Sequence, residues 1–328
     1  MRARPADFVS TFAKTLYYNK NIIIAMTDEC NFACKHCQQG QGYDCVISKG
    51  IMSYEMIDLI LDNIYDKDFF ICICGGEALL YPEIVEYIIT RSHQIGTPII
   101  LGTNGFWYNN KEIIDMIKRV KPTFIRLSVD KYHQDYVSLD NLQELIDNLE
   151  DSEVKIFGGS IYNHECHPGD EEKFDSLKLL QEVTPCVYKG NGEDFLYENR
   201  EILKSNQYVF CRASGIVIIP NGDIYMECEM ETHGCYLGNI REVKFIDLIP
   251  KLKCGRPYYY INPGERINNI YEICKRDKHH LLDDKWQGSK ISFNVMGNSV
   301  YEKALQSNIY KYTLKEIRDY YDPFYEEH

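Results

Sequence analysis

Short apolar segments rich in β-branched residues alternate with helical patterns between about residue 20 and residue 190. This alternation is typical of βα units, whose parallel strands form one sheet covered by helices. Strands are predicted at residues 22–25, 69–74, 98–101, 124–129, 154–157 and 184–187. Six consecutive units predict an α/β fold, a partial (βα)6 barrel, in which residues at the carboxyl ends of the strands carry the chemistry.

The segments between the strands carry apolar residues at helical spacing. Ser53 is a candidate N-cap for the first helix, and Pro82 suits the first turn of the second. Further helices are predicted around residues 113–117, 142–149 and 174–180. Their apolar faces are expected to pack on the sheet.

A polar, glycine-containing break at residues 190–193 is a candidate domain boundary. A chain of 328 residues with 45% hydrophobic content can bury one large core and a smaller second one. We therefore expect a barrel domain over residues 1–195 and a smaller α+β extension over residues 196–328, with a closing helix near residues 299–321.

Composition excludes several classes of function. The 49 acidic residues outnumber 36 Lys and Arg, for a formal charge of −13, which disfavours a nucleic-acid partner. No apolar segment approaches the ~20 residues of a membrane span, so no membrane partner is expected. Thirteen cysteines without an export signal predict reduced thiols and metal ligands in a cytoplasmic protein.

Three cysteines lie within eight residues, in the order Cys30-Asn31-Phe32-Ala33-Cys34-Lys35-His36-Cys37. Three thiolates on one loop can each bind one iron of a 4Fe-4S cluster and leave the fourth iron open to chemistry. The alternative is a structural zinc site, which needs four ligands, and only His36 could join locally. The spacing therefore favours a cluster.

At these residues the chain resembles the radical S-adenosylmethionine (radical SAM) superfamily, whose hallmark is this loop after the first strand. The resemblance implies that SAM binds the open iron and is cleaved reductively to a 5'-deoxyadenosyl radical, which removes a hydrogen atom from the substrate. It also implies a reductant such as flavodoxin or ferredoxin. His36 would lie against the adenine of SAM, where relatives more often have Tyr or Phe.

Gly75-Gly76-Glu77 follows the second predicted strand. Two glycines allow the backbone to approach a ligand closely. The motif resembles the methionine-binding turn of the superfamily, in which Glu77 and a backbone carbonyl would receive the SAM ammonium group. The structural alternative is a tight turn with a solvated acid.

Polar residues also follow the third and fourth strands. Thr103 and Asn104 begin a Thr-Asn-Gly sequence that recurs at this strand end in relatives. Arg126, Ser128 and Asp130 alternate with apolar residues and are expected on one side of the fourth strand. By the resemblance, Ser128 and Asp130 are candidates for contacts with the ribose of SAM. Arg126 could bind a carboxylate or form an ion pair across the barrel.

His133 follows the fourth strand, where relatives often have a histidine. An isolated histidine is more often a packed structural residue than a catalyst, so it is not among the predicted site residues.

The sequence Asn221-Gly222 between apolar segments predicts a hairpin that brings Cys211 and Cys228 together. This region resembles the SPASM and twitch extensions of radical SAM enzymes, which bind auxiliary clusters. The resemblance implies an auxiliary 4Fe-4S cluster with ligands among Cys211, Cys228, Cys235 and Cys274. Asp277 stands where a twitch site commonly has its last cysteine, so Asp277 or Cys235 ligates, or no auxiliary cluster forms.

The same motifs resemble peptide epimerases and maturases of ribosomally made peptides. Cys228 is the candidate hydrogen donor for epimerisation, but one sulfur cannot be both donor and cluster ligand, so crosslinking stays open. Fewer than ~80 residues precede the first strand, so a fused leader-peptide domain is not expected. Peptide recognition is expected at the barrel mouth, at Trp107 and at Tyr258-Tyr259-Tyr260. The alternatives are a small-molecule radical SAM dehydrogenase or cyclase, and a non-catalytic iron-sulfur sensor.

Overall fold

The structure is a computed structural model of the chain. It describes residues 2, 20–37, 50–162, 176–179, 181–185, 207–210, 215–226, 236–249 and 294–297. Its strands are β1 (Asn21–Ala25), β2 (Phe70–Cys74), β3 (Ile99–Thr103), β4 (Phe124–Ser128), β5 (Lys155–Tyr162), β6 (Gln181–Pro185), β7 (Gln207–Phe210), β8 (Gly215–Ile218), β9 (Asp223–Met226), β10 (Tyr236–Asn239) and β11 (Asn294–Gly297).

Nine of these strands form one sheet in the order β10-β9-β8-β1-β2-β3-β4-β5-β6. Strands β1 to β6 are parallel neighbours in chain order, as the βα pattern predicts. The sheet ends at β10 and β6, so the described strands form an open sheet, and its six parallel strands confirm the predicted α/β class. Strands β7 and β11 pair separately and are antiparallel.

The helices are α1 (Tyr54–Asp62), α2 (Pro82–Ile95), α3 (Lys111–Val120), α4 (Leu139–Asn148) and the short α5 (Phe245–Leu248). Side-chain oxygens of Ser53, Asn110 and Ser138 accept hydrogen bonds from free backbone N–H groups in the first turns of α1, α3 and α4. Pro82 begins α2, and Gly96, with φ 81°, ends it. The predicted caps of α1 and α2 are thus confirmed.

Apolar residues fill both faces of the sheet. The larger cluster packs the helices against one face and includes Ile71, Leu101 and Leu127. On the other face, Phe70, Ile100, Phe124 and Phe157 form a separate buried cluster from four adjacent strands. This second cluster lies at the amino ends of β2 to β4, so the space towards their carboxyl ends is left to polar residues.

The structure differs from the sequence prediction in several element bounds. Strand β6 covers Gln181–Pro185 rather than residues 184–187. Strand β5 extends to Tyr162, beyond the predicted residue 157. Residues 176–178 form a turn rather than part of the helix predicted near 174–180, and Lys178 has φ 52°, which is incompatible with a continuing right-handed helix.

The predicted hairpin is confirmed as β8 and β9, joined through Gly222 with φ 89°. It does not stand apart from the predicted barrel, because β8 pairs in parallel with β1 from Asn21↔Gly215 onwards. The closing helix near residues 299–321 lies outside the described residues, and the domain boundary stays a prediction. Among the described helices, none is long and apolar enough to cross a bilayer.

Candidate functional site

The cysteine loop begins just after β1. The backbone N–H of Cys37 donates to the carbonyl of Cys34 at 3.0 Å. The N–H of Ala33 donates to the hydroxyl of Tyr136 at 3.2 Å, and the ring of Tyr136 stacks on Phe32 with centroids 4.5 Å apart. A side chain from beyond β4 therefore anchors a loop that would otherwise depend on its own turns.

Two hydrogen-bond donors lie near the sulfur of Cys30. The N–H of Phe32 lies 3.4 Å from it, and Nδ2 of Asn104 lies 3.9 Å from it. Asn104 also donates to Oδ1 of Asn31 at 2.9 Å, which joins the end of β3 to the loop. Burial raises the pKa of the Cys30 thiol to about 11, so a bound metal cation would be needed to hold it as a thiolate at neutral pH.

The two glycines after β2 lie against this loop. The N–H of Gly76 donates to the carbonyl of Thr27 at 2.6 Å, and the N–H of Glu77 donates to the carbonyl of Glu29 at 2.7 Å. A Cβ on Gly75 would lie 2.3 Å from the Thr27 oxygen, and one on Gly76 would lie 1.9 Å from the Glu29 oxygen. The close approach therefore requires glycine at both positions.

Glu77 is 1% exposed, and its carboxylate is bonded within the chain. Oε1 accepts from the N–H of Leu79 at 3.1 Å and from the hydroxyl of Thr103 at 2.9 Å, while Oε2 accepts from the N–H of Asn104 at 2.7 Å. Burial raises the pKa of Glu77 to about 7, against the opposing effect of these hydrogen bonds. Its observed contacts position the ends of β2 and β3, and its predicted contact with the SAM ammonium stays a prediction.

Trp107 does not line an opening. Its side chain is 0% exposed, and its indole N–H donates to the hydroxyl of Thr103 at 2.9 Å. The expectation that Trp107 recognises a peptide is therefore wrong, since the residue is core packing behind the strand end. Tyr258-Tyr259-Tyr260 lies outside the described residues.

Asp130, His133 and His36 meet beyond the end of β4. Asp130 is 2% exposed, and its Oδ1 accepts from Nδ1 of His133 at 2.9 Å. Its other oxygen, Oδ2, lies 3.7 Å from Nε2 of His36. Burial disfavours charge at all three residues, but the mutual attraction of Asp130 and His133 outweighs it, lowering the pKa of Asp130 to about 2 and raising that of His133 to about 10. Burial lowers the pKa of His36 to about 4, so its ring is neutral.

His133 is the residue that sequence reasoning set aside. The neighbouring side chain of Cys34 also contributes to the raised pKa of His133. The available signal was its spacing of three residues from Asp130 just after a strand, which permits a local carboxylate–imidazole pair.

Residues 24–158 match the model of one protein family, described as the radical SAM superfamily. This segment belongs to that superfamily. It contains the cysteine loop, the glycine turn and the Asp130–His133 pair described above.

Two curated relatives of this chain have names that denote different reactions. GTP 3',8-cyclase from Microcystis aeruginosa is 25% identical over 208 residues, covering 62% of this chain and 58% of that protein. Glutamate 2,3-aminomutase from Clostridioides difficile is 30% identical over 130 residues, covering 38% of this chain and 28% of that protein. The chain thus spans less than two thirds of the length of these relatives.

Two solved structures share the fold over most of the chain. The structure of anSMEcpe with bound AdoMet, which is SAM, has a TM-score of 0.53 at 16% identity and covers 92% of this chain and 93% of that one. A second, of anSMEcpe with AdoMet and the Cp18Cys peptide, has a TM-score of 0.52 at 16% identity and covers 92% and 96%. At this identity the likeness establishes the fold.

The face of the sheet that is not covered by the helices, called the inner face here, carries polar side chains near the strand ends. Arg126 and Ser128 are half-buried on β4. The guanidinium of Arg126 lies so close to Gly159 that a Cβ there would be 2.6 Å from Cζ. The absence of a side chain at Gly159 therefore leaves room for the Arg126 guanidinium on this face of the sheet. The positive charge of Arg126 contributes to lowering the pKa of His36.

Two buried polar atoms at this site have no hydrogen-bond partner within the described part of the chain: Nδ1 of His36 and Oδ2 of Asp130. Buried polar atoms are usually satisfied, and a polar ligand could satisfy both. The described residues therefore fit the groups that the superfamily implies: three thiols with donors around one sulfur, a close backbone turn, and unpartnered polar atoms beside the loop.

Cys211, Cys228, Cys235 and Cys274, proposed for the auxiliary cluster or for hydrogen donation, lie outside the described residues.

Proposed function

We propose that this protein is a radical SAM enzyme that binds a 4Fe-4S cluster through Cys30, Cys34 and Cys37, and SAM beside it. When bound, these groups supply a reductively generated 5'-deoxyadenosyl radical that takes a hydrogen atom from the substrate. The observation that carries the proposal is the contact of the cysteine loop with the Gly75-Gly76 turn and with Asn104, which gathers three strand ends around the thiols.

The other residues have separate roles in this proposal. Gly75 and Gly76 keep side chains away from the loop backbone, which leaves backbone carbonyl groups and Glu77 for the methionine part of SAM. Ser128 and Asp130 are proposed to contact the ribose, while neutral His36 lies against the adenine.

Arg126 is proposed to bind a carboxylate of SAM or of the substrate, because it brings a positive charge to the inner face of the sheet. Thr103 holds the end of β3 through Glu77.

The test is anaerobic reconstitution with iron and sulfide, followed by reduction with SAM. Wild type is expected to form 5'-deoxyadenosine, and a variant with Cys30, Cys34 and Cys37 changed to Ala is expected to form none. A Cys72→Ala variant is the matched control, because Cys72 packs against the apolar cluster of Phe70, Ile100, Phe124 and Phe157. Absence of 5'-deoxyadenosine from iron-loaded, reduced wild type would instead favour an iron-sulfur sensor.

The proposed substrate is a ribosomally made peptide, modified by epimerisation or crosslinking. Support comes from the epimerase-like motifs and from the fold shared with anSMEcpe, which was solved with a bound peptide. Reaction in heavy water distinguishes the outcomes: epimerisation adds about one mass unit through solvent-derived hydrogen, whereas crosslinking removes hydrogens.

The second candidate is a small-molecule dehydrogenase or cyclase. The curated relatives named GTP 3',8-cyclase and glutamate 2,3-aminomutase favour it. Measuring 5'-deoxyadenosine formation with candidate peptides and with candidate small molecules separates the two candidates, because the true substrate accelerates SAM cleavage.

An auxiliary 4Fe-4S cluster is proposed in the extension. Met226, at the end of β9, pairs with Ile216 near the start of β8, and Tyr236, at the start of β10, pairs with Tyr225. The strand ends nearest in sequence to Cys228 and Cys235 therefore lie beside the start of β8, which follows Cys211 by four residues. Cys211 itself directly follows β7, which belongs to the other sheet.

These strand ends lie level with Asn21, the first residue of β1. The loop that begins at Cys30 lies beyond Ala25, the last residue of β1. β1 is about 13 Å long at ~3.3 Å per residue. This separation favours cluster ligation over hydrogen donation for Cys228. If an auxiliary cluster forms, the variant lacking Cys30, Cys34 and Cys37 retains about four irons of about eight. Loss of all iron would contradict the auxiliary cluster.

A soluble reductant such as flavodoxin or ferredoxin is proposed as the electron donor, in the cytoplasm. The test is 5'-deoxyadenosine formation with each purified donor in place of dithionite, with donor-free protein as the control.

A further inference from the structure

One row of residues crosses the inner face of the sheet between the apolar cluster and the polar strand ends. Gly102 on β3 is the register partner of Arg126 on β4, and a Cβ on Gly102 would lie 3.9 Å from the Cβ of Cys74 on β2. Each of these three residues follows a member of the buried apolar cluster by two or four positions, so all three share its face. They are half-buried, whereas the cluster is buried, so the row is the more accessible layer of this face.

Gly102 leaves the middle of this row without a side chain. Among the described residues, a Cβ there would meet only ordinary contacts, at 3.4 Å from the carbonyl oxygen of Ile73 and 3.9 Å from Cys74. The backbone of Gly102 is not in the left-handed region either. Glycine inside a strand weakens it, and such a glycine often marks the close approach of a ligand. Local packing and backbone geometry therefore do not explain Gly102, whereas a molecule lying over it does.

Arg126 brings a cation to one end of the row. Its guanidinium extends over Gly159 on β5, where a Cβ would lie 2.6 Å from Cζ and 2.7 Å from Nε. The planar guanidinium offers several N–H donors in a fork that matches a carboxylate. The apolar cluster below keeps this part of the face poor in water, which strengthens a charge-assisted hydrogen bond. The row thus combines an anion site with a space next to it.

The position of Arg126 separates it from the methionine part of SAM. That part is proposed to lie at the Gly75-Gly76 turn after β2, and β4 is two strands away, about 10 Å at ~4.8 Å per strand. Arg126 also precedes Ser128, the proposed ribose contact, by two residues, which is about 7 Å along the strand towards its amino end. The guanidinium therefore lies deeper in the inner face than the proposed SAM site, where a substrate would face the adenosyl group.

We propose that the substrate carries a carboxylate that binds Arg126, while the carbon chain next to this carboxylate lies over Gly102. The inference rests on the proposed radical SAM function and deepens it by naming a substrate class. An acidic residue of a peptide and a free carboxylic acid present the same group, and the two sources are distinguished below.

A structural ion pair is the competing interpretation. Arg126 already interacts within the chain, and Glu182 on β6 is the register partner of Gly159. An ion pair would hold the cation in place, and a guanidinium with several donors can still bind a second carboxylate. The two interpretations differ for a neutral analogue of the substrate, because only a substrate site distinguishes an acid from its amide.

The experiment offers deuterated probes to the reconstituted wild type with SAM and dithionite. The peptide-like probe is N-acetylglutamate N-methylamide and the small-molecule probe is free glutamate, each deuterated at the side-chain carbons and each compared with its glutamine counterpart. One deuterium atom passes from a C–D bond of a bound probe to the 5' carbon, and dithionite with a solvent proton restores hydrogen on the probe. Mass spectrometry of 5'-deoxyadenosine measures the labelled fraction. The acid is expected to give about tenfold more label than the amide, and the better of the two acids identifies the source.

Variants assign this preference to the row. Arg126→Gln is expected to remove the difference between acid and amide, and Arg126→Lys, which keeps the charge, to retain part of it. Lys155→Gln is the matched control, because Lys155 lies near the ring of Phe124, two residues closer to the amino end of the sheet. Gly102→Ala is expected to lose most of the label while unfolding at no lower denaturant concentration than wild type, since its Cβ fits the described structure.

Equal labelling from acid and amide in wild type would overturn the inference, as would unlabelled 5'-deoxyadenosine with every probe. The same acid preference in Arg126→Gln as in wild type, or unchanged labelling in Gly102→Ala, would overturn it as well. If Arg126→Gln does not fold, the comparison of acid with amide in wild type and the Gly102→Ala variant still decide. Iron-loaded, reduced wild type that forms no 5'-deoxyadenosine would overturn the proposed function itself.

Discussion

The backbone N–H of Asn104 donates to Oε2 of Glu77 at 2.7 Å, which joins the residues that follow two neighbouring strands. The side chain of Asn104 in turn donates to Asn31 and approaches the sulfur of Cys30. One buried carboxylate therefore connects the ends of β2 and β3 with the cysteine loop, and changes at Glu77 test how firmly the site is held.

Glu77→Gln is expected to change how stability depends on pH. Burial raises the pKa of Glu77 from its ordinary value of 4.5 to about 7, so the folded state keeps its proton more strongly than the unfolded state. This contribution is fully present below about pH 4.5 and is lost as pH rises through about 7. Gln cannot ionise, so the difference in unfolding free energy should move in favour of the variant by about 3 kcal/mol over this range. Urea unfolding at a series of pH values measures it, and parallel wild-type and variant curves would show that Glu77 does not titrate in this way.

Gly75→Ala is expected to destabilise the turn beside the cysteine loop. The new Cβ would lie 2.3 Å from the carbonyl oxygen of Thr27, at a backbone φ of 133°. Gly50→Ala is the matched control, because Gly50 has φ 140° but nothing within 4 Å of a Cβ. Gly75→Ala should cost about 1–3 kcal/mol more than the control in unfolding free energy, the usual range for overpacking. Equal costs would mean that backbone strain, rather than the contact with Thr27, explains the glycine.

Tyr136→Phe is expected to loosen the cysteine loop without unfolding the protein. The change removes the acceptor of the Ala33 N–H, and one hydrogen bond is worth about 0.5–1.5 kcal/mol. Hydrogen exchange at the Ala33 amide should therefore be about 2- to 10-fold faster, by local opening. Tyr87→Phe is the control, since its hydroxyl bonds Asp58 on α1. Unchanged exchange at Ala33 would assign the anchoring to the stacking of Tyr136 on Phe32.

Trp107→Phe is expected to lower stability, because the indole is fully buried and its N–H bonds Thr103. A loss of about 1–3 kcal/mol follows from the smaller side chain and the broken hydrogen bond. Thermal unfolding measures it. If Trp107→Phe instead had wild-type stability and bound substrate poorly, Trp107 would recognise the substrate after all.

Patterns within short stretches of sequence predicted much of this protein. The spacing of Cys30, Cys34 and Cys37, the paired glycines after β2 and the alternation of strands and helices all express local chemistry: side-chain periodicity, backbone freedom and the reach of a short loop. Those features were sufficient for the α/β class, for six parallel strands in chain order and for the end of the sheet where polar residues collect.

Only the tertiary structure decided which distant residues meet. Glu77 is a bonded anchor rather than a solvated acid, Trp107 is core, and Tyr136 bonds Ala33 in the cysteine loop across 103 residues of sequence. The hairpin of β8 and β9 also joins the edge of β1. Each of these facts depends on strand pairing and on burial between segments far apart in the chain. The free energy of such contacts is set by the packed environment, which a local pattern does not contain.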